Sequence, residues 1–356
     1  MNAVVKRVSE RIAALPVYQP GKPPMGSLIG KLSSNESSLG SGPVMSRAIT
    51  SAVNQLHLYP YEESATTTLA ASLGVADDHV LLSNGSDELC FLIATVFLGA
   101  GRQAVVGDPC YAIDATATLI SGAQLIRVPL VDGAHDLDQL ANAAQSADVV
   151  WVPTPHNPTG VAVTQEQLFK FISKIPETCL VVIDQAYGGY VDDEFLIDPA
   201  ELVNEFPHVL VQRTLSKNWA VAGLRVGYAI ARPEVIGALR TVRPPFSVNS
   251  LALAAVEASV NEPAWQQMTS ARVREGRANL EAELATLGVE YLPSQANFVL
   301  AKIDATKLAG PLADVDISVR DGATLGIPGW TRITIGWAPT MVTLVEVLRD
   351  VVPTLI

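Results

Sequence analysis

Lys217 sits in the stretch Arg213-Thr214-Leu215-Ser216-Lys217-Asn218-Trp219-Ala220-Val221-Ala222-Gly223-Leu224-Arg225, between two apolar, β-branched runs at 208–212 and 225–231. Such runs read as buried strands, which leaves the lysine on the loop at a strand end. A lysine amine in a partly dry pocket beside other cations gives up its proton readily and can form a Schiff base with a carbonyl compound. Thr214, Ser216 and Arg225 add hydroxyl donors and a planar guanidinium fork, the set that a phosphate dianion needs. A lone lysine after a core strand is ordinarily a surface group, so this reading depends on what else the chain brings near it.

Two further stretches supply that company. Leu180-Val181-Val182-Ile183-Asp184 is an apolar strand ending in a carboxylate, at the place where open α/β sheets bind ligands. The strand at 148–152 is followed by Pro153-Thr154-Pro155-His156-Asn157-Pro158-Thr159-Gly160, which puts the Asn157 amide on the same rim. Pyridoxal 5′-phosphate calls for such groups, because its ring works as an electron sink only while an anion keeps the ring nitrogen protonated. Asp184 fits that role, and Tyr187 follows closely enough to reach the ring hydroxyl. The order Asn157-Pro158-Thr159-Gly160, then Asp184-x-Ala186-Tyr187, then Ser216-Lys217 with Ala222-Gly223-Leu224-Arg225 after it resembles the fold-type I pyridoxal-phosphate aminotransferases. Within them it looks most like the histidinol-phosphate aminotransferase group, over nearly the whole chain.

The resemblance implies an enzyme in which Lys217, Asp184 and Tyr187 are catalytic. Ser86, Asp87, Tyr111, Asn157, Thr214, Ser216 and Arg225 join them around the cofactor. It implies a homodimer in which Tyr59, in Leu56-His57-Leu58-Tyr59-Pro60, crosses to the partner's cofactor phosphate; an interface or core aromatic is the ordinary fate of such a tyrosine. Arg332 and Arg320 match the family's anion-binding arginines, although Asp321 offers Arg320 a local ion pair. Tyr18 and Asn35 lie in segments resembling those that line the active site, which implies substrate-binding roles for both, although Tyr18 also suits simple packing. The implied partners are small molecules, an amino donor and a 2-oxo acid acceptor such as 2-oxoglutarate. Gln185, His156, Asp114 and Asn218-Trp219-Ala220-Val221 depart from the family pattern. They leave room for an aromatic amino-acid donor of the phenylalanine type, or for an amino-acid phosphate decarboxylase on the same fold.

Positioning these groups requires alternating strands and helices from about residue 80 to 231, hence a mostly parallel sheet of the seven-stranded type covered by helices on both faces. Val80-Leu81-Leu82 leads into Ser83-Asn84-Gly85-Ser86, where Ser86 is a candidate N-cap and the helix N-terminus a candidate phosphate site; an ordinary capped helix satisfies the same letters. An aromatic at Tyr111 could stack on the cofactor ring or pack on the helix that follows. An amphipathic helix is expected over 4–15, then an extended arm broken by Pro16, Pro20, Pro23 and Pro24. A helix is expected over 44–56, buried helices over 89–100 and 249–260, a long charged helix over 264–287 and a last helix over 341–351. The expected divisions are 1–44 for an arm joining the small domain, 45–245 for the cofactor-binding domain and 246–356 for a smaller α+β domain.

Composition agrees with a compact enzyme: 356 residues with 17% charged and 49% apolar side chains argue against disorder. A net charge of −12 opposes a nucleic-acid surface. Three scattered cysteines, Cys90, Cys110 and Cys179, read as reduced thiols of a cytoplasmic protein rather than a disulfide framework. No signal-like h-region or membrane-length apolar run is expected. The five histidines have no metal-ligand spacing, and no G-x-G-x-x-G after a strand, P-loop or H-E-x-x-H occurs, so no metal is expected. A cofactor-binding regulatory protein is disfavoured for want of a basic DNA-reading module.

Overall fold

The computed structural model describes residues 4–15, 17–21 and 23–355; Pro16, one of the breakers expected in the arm, lies outside them. In chain order the strands are β1 (Lys31–Leu32), β2 (Val80–Ser83), β3 (Gln103–Asp108), β4 (Gln124–Pro129), β5 (Val149–Pro153), β6 (Leu180–Asp184), β7 (Val209–Thr214), β8 (Gly227–Ala231), β9 (Tyr291–Leu292), β10 (Phe298–Ala301), β11 (Ser318–Asp321) and β12 (Thr331–Thr334). Seven of them form one sheet in the order β2-β8-β7-β6-β5-β3-β4. Strands β3 to β7 pair in parallel, and β8 runs antiparallel to both β2 and β7.

Because helices cover both faces, the central strands are apolar at nearly every position rather than alternating. Along β5 successive side chains serve opposite cores: Val150 and Val152 pack with Leu168 and Phe171, while Val149 and Trp151 pack with Leu89 and Ile93. One edge of the sheet therefore gathers the carboxyl ends of β2, β3, β5, β6 and β7, and the segments carrying Ser86, Tyr111, Asn157, Asp184 and Lys217 all leave from that edge.

The second sheet has the order β1-β11-β12-β10-β9. Its first strand comes from the N-terminal arm, with Lys31 and Leu32 paired parallel to Ser318 and Val319. Helices Pro263–Thr286 and Ala338–Val351 pack Leu280, Leu284, Leu344 and Leu348 against Phe298 and Ile333. Tyr187 and Tyr190, from the loop after β6, are buried in this core rather than that of the large sheet. Helix Ser250–Ser259 lies beyond the boundary drawn at residue 246, yet its Ala252, Val256 and neighbours share the large-sheet core with Met45 and Leu69.

Local expectations needed two corrections. The amphipathic helix over 4–15 is instead a 3-10 turn (Val5–Arg7) and a short helix (Glu10–Ala13), with Val8 extended between them. Val4, Val5 and Val8 stay exposed, so little apolar burial is available to offset nucleating a longer helix. Ser86 is not the N-cap of helix Ser86–Phe97: Gly85 holds that position at φ +80°, with no side-chain cap on the first turn. Among the described residues no helix is long and apolar enough to cross a membrane.

Candidate active site

A cavity of about 580 Å³ opens where the carboxyl edge of the large sheet meets the small sheet and the arm. Lys217, Asp184, Tyr187, Asn157, Ser86, Asp87, Tyr111, Thr214, Ser216, Arg225, Arg320, Arg332, Tyr18 and Asn35 all line it. Tyr59 does not; it is 72% exposed and stacks on Phe246 with ring centroids 4.7 Å apart. A second cavity of about 710 Å³ on the small domain, between helices Pro263–Thr286 and Ala338–Val351, gathers no comparable set of nucleophile, acid and arginines.

At the centre, Lys217 Nζ donates to the carbonyls of Ser34 (3.4 Å) and Asn35 (3.2 Å) and lies 5.5 Å from the centre of the Tyr187 ring. Asp184 ends β6, nearly buried, and accepts from the Ala186 N–H at 2.7 Å. Burial pushes its carboxyl up to about 6, partly offset by the Gln212 amide paired with it on β7 and by the Ala186 N–H. The Tyr187 hydroxyl accepts from Asn35 Nδ2 at 2.9 Å and from Asn157 Nδ2 at 3.5 Å. Phe298 braces the Tyr187 ring edge-on, with centroids 5.2 Å apart.

One end of the cavity gathers hydroxyl, guanidinium and main-chain N–H groups. Thr214 Oγ1 lies 2.9 Å from Ser216 Oγ, and the uncapped first turn of helix Ser86–Phe97 opens beside them. Arg225, left-handed at φ +54°, reaches Asp87 Oδ2 at 3.4 Å, and Tyr111 donates to Asp87 Oδ1 at 2.9 Å. Gly85 permits this closeness, since a Cβ there would meet Arg225 Nη2 at 2.7 Å and displace the guanidinium.

The other end holds two nearly buried arginines. Arg320 and Arg332 are register partners on antiparallel β11 and β12. Arg332 donates to Asn157 Oδ1 (2.6 Å) and to the Ser33 carbonyl (3.3 Å), and Arg320 donates to the Gln19 carbonyl at 2.6 Å. Among the described residues neither guanidinium is paired with a carboxylate, and the Nε of each has no hydrogen-bond partner. Asp321, considered as a partner for Arg320, instead caps the turn that follows it through the Ala323 N–H.

Three of the departures from the family pattern point away from this chemistry. Gln185 accepts from Arg213 Nε at 2.7 Å, His156 sits edge-on to His135 with Thr159 on its Nδ1, and buried Asp114 contacts Cys90. None of the three lines the cavity. Sequence reasoning missed Gln212 beneath Asp184, Phe298 beneath Tyr187 and Arg332, and Asn297 and Thr334 around Asn35. Each belongs to a strand or its margin, where polar or aromatic letters pass for packing.

A pyridine carrying a ring nitrogen, a ring hydroxyl, an aldehyde and a phosphate fits this donor set. The nearly buried acid, the amide and phenol pair, the lysine and the hydroxyl and arginine end face one space. Among the described residues no group of acids, histidines and cysteines is arranged to hold a metal ion.

Residues 29–349 match the family of class I and II aminotransferases. A histidinol-phosphate aminotransferase of Brevibacillus brevis is 38% identical over 355 residues, covering 96% of this chain and 98% of its own. One from Dechloromonas aromatica is 35% identical over 350 residues, covering 95% and 96%. The crystal structure of histidinol-phosphate aminotransferase from Sinorhizobium meliloti in complex with pyridoxal-5′-phosphate superposes with a TM-score of 0.87 at 25% identity, covering 98% of each chain. The chain belongs to the class I and II aminotransferase family.

Proposed function

We propose that this aminotransferase takes an amino donor bearing a remote phosphate, of the histidinol-phosphate kind, and passes its amino group to a 2-oxo acid such as 2-oxoglutarate. The observation that carries the reading is the pairing of Arg320 with Arg332. Two guanidinium groups opposed across a sheet and nearly buried are costly without an anion between them. A phosphate remote from the reacting amine fills that place, and the distal carboxylate of the acceptor fills it in the other half of the cycle.

When bound in this cavity, pyridoxal phosphate would supply an aldehyde and a protonated ring that accepts an electron pair. Lys217 would hold the cofactor aldehyde and, with its amine free, would take a proton from the substrate Cα as base and return it as acid. Asp184 keeps the ring nitrogen protonated. Asn157 and Tyr187 bind the ring oxygen, and Tyr111 covers the ring. Thr214, Ser216, Arg225 and the main-chain N–H groups of Ser86 and Asp87 hold the cofactor phosphate, joined by Tyr59 of the partner subunit in a homodimer. Exposed Tyr59, Tyr61, Leu58 and Phe246 form an apolar group suited to that contact.

An aromatic donor is the second reading, favoured by Ile113 and Leu325, which give the same cavity an apolar wall. A panel of histidinol phosphate, phenylalanine and glutamate, followed by the spectral change of the bound cofactor, separates the two. Carbon dioxide released in place of a 2-oxo acid would reveal a decarboxylase instead. Lys217→Ala should abolish turnover and the borohydride-fixed cofactor; parental turnover by that variant ends the reading.

A further inference from the structure

Asn35 adopts φ +56°, a left-handed conformation that asparagine tolerates better than most side chains. Its polar atoms are committed to four partners. The N–H donates to Thr334 Oγ1 (3.0 Å), and Oδ1 lies 3.1 Å from the same hydroxyl. Nδ2 donates to the Tyr187 hydroxyl at 2.9 Å. The carbonyl accepts from Asn297 Nδ2 (3.1 Å) and Lys217 Nζ (3.2 Å), and the preceding Ser34 carbonyl takes a second contact from the lysine. Thr334 ends β12 and Asn297 precedes β10, so both belong to the small sheet, whereas Lys217 and Tyr187 leave the large one. A single strained residue of the arm thus joins the small sheet to the amine.

We propose that Asn35 is a positioning residue whose left-handed backbone, anchored by Thr334 and Asn297, aims two carbonyls at the Lys217 amine whenever that amine is free. This deepens the function proposed above and rests on it. A free lysine has four rotatable side-chain bonds and would otherwise sweep the open cavity. Two acceptors fixed on one side confine it to one part of the cavity, and confinement of a reacting group is what orientation contributes to rate. Asn35 itself, with its amide engaged by Tyr187 and its Oδ1 by Thr334, acts through these groups rather than on the substrate.

The test mixes apoprotein with pyridoxal phosphate and follows covalent attachment by absorbance, with borohydride trapping of quenched samples. Asn35→Gly keeps the left-handed backbone and removes the side chain; Asn35→Ala removes the side chain and disfavours that backbone as well. Attachment is expected to be fastest in the parent and slowest in Asn35→Ala, which should trail Asn35→Gly about tenfold. Thr334→Val, which loses the hydroxyl but keeps the shape, should slow attachment by a similar factor, and Thr334→Ser should restore most of it. Equal rates for the Gly and Ala variants, or for the Val and Ser variants, overturn the positioning role. Should Thr334→Val fail to fold, the Gly and Ala pair decides alone. A parent protein that attaches no cofactor overturns the proposed function instead, so the two failures are distinguishable.

Discussion

Arg332 donates from Nη1 to Asn157 Oδ1 at 2.6 Å, so one hydrogen bond links small-sheet strand β12 to the loop that follows β5. By occupying Oδ1 it turns Asn157 Nδ2 toward the Tyr187 hydroxyl. Arg332→Lys keeps a charge but loses the planar fork that serves both contacts. We expect kcat/KM for a phosphate-bearing donor to fall about a hundredfold, the cost of about 3 kcal/mol in charge-assisted bonds. Cofactor retention on dialysis should fall more modestly. Steady-state kinetics showing an unchanged kcat/KM would remove Arg332 from substrate binding.

Asp184 makes stability depend on pH in a direction opposite to that of most carboxylates. Burial is the main reason its carboxyl is pushed up to about 6, above its ordinary value, so the folded apoprotein holds that proton more tightly than the unfolded chain does. Its stabilising contribution is therefore complete at low pH and is lost as pH rises through about 6. A carboxyl raised to about 6 from its ordinary value corresponds to about 3 kcal/mol. A cofactor with a protonated ring nitrogen offsets the loss by pairing with the carboxylate. The gap in melting temperature between holoprotein and apoprotein should widen between about pH 5 and about pH 7.5. Asp184→Asn should flatten the pH dependence of the apoprotein, and a parallel pair of melting curves for parent and variant would contradict this account.

Gly85 decides whether Arg225 can stand against the first turn of helix Ser86–Phe97. Gly85→Ala combines a φ of +80° with a Cβ 2.7 Å from Arg225 Nη2, so the guanidinium must swing away from the phosphate end. A loss of about tenfold in cofactor affinity is expected, with little change in kcat once the site is saturated. Fluorescence titration of the apoprotein measures it; parental affinity would mean that Arg225 does not need its present place.

The gathering of the candidate groups in one cavity was legible in the sequence because they follow strands that are buried on both faces. Leu180–Asp184 reads as apolar letters ending in an acid, and the sheet then brings that acid to the same edge as Lys217. What stayed hidden depends on contacts between distant segments. Thr334 looks like an ordinary strand residue until the arm, 299 positions away, lays Asn35 against it. The pairing of Arg320 with Arg332 likewise requires the register of β11 on β12, which no local pattern specifies. Ser86 has the letter of a cap, but Gly85 before it accepts the positive φ and takes the position. Gln185, His156 and Asp114 depart from the family pattern next to site residues in sequence, yet none of the three lines the cavity.

Tyr59 tests whether two chains build one site. It lies outside its own cavity and is exposed beside Phe246, so any contact with a cofactor phosphate must be made in a partner subunit. Lys217→Ala homodimers should be inactive, and Tyr59→Ala homodimers should bind cofactor about tenfold more weakly. When the two variants are unfolded, mixed and refolded, each mixed dimer contains one site with an intact Lys217 and an intact Tyr59 from the other chain. Activity at limiting cofactor should therefore rise above the sum of the two parents. If Tyr59 served its own subunit, every site in the mixed dimer would lack one of the two groups and no activity would be regained.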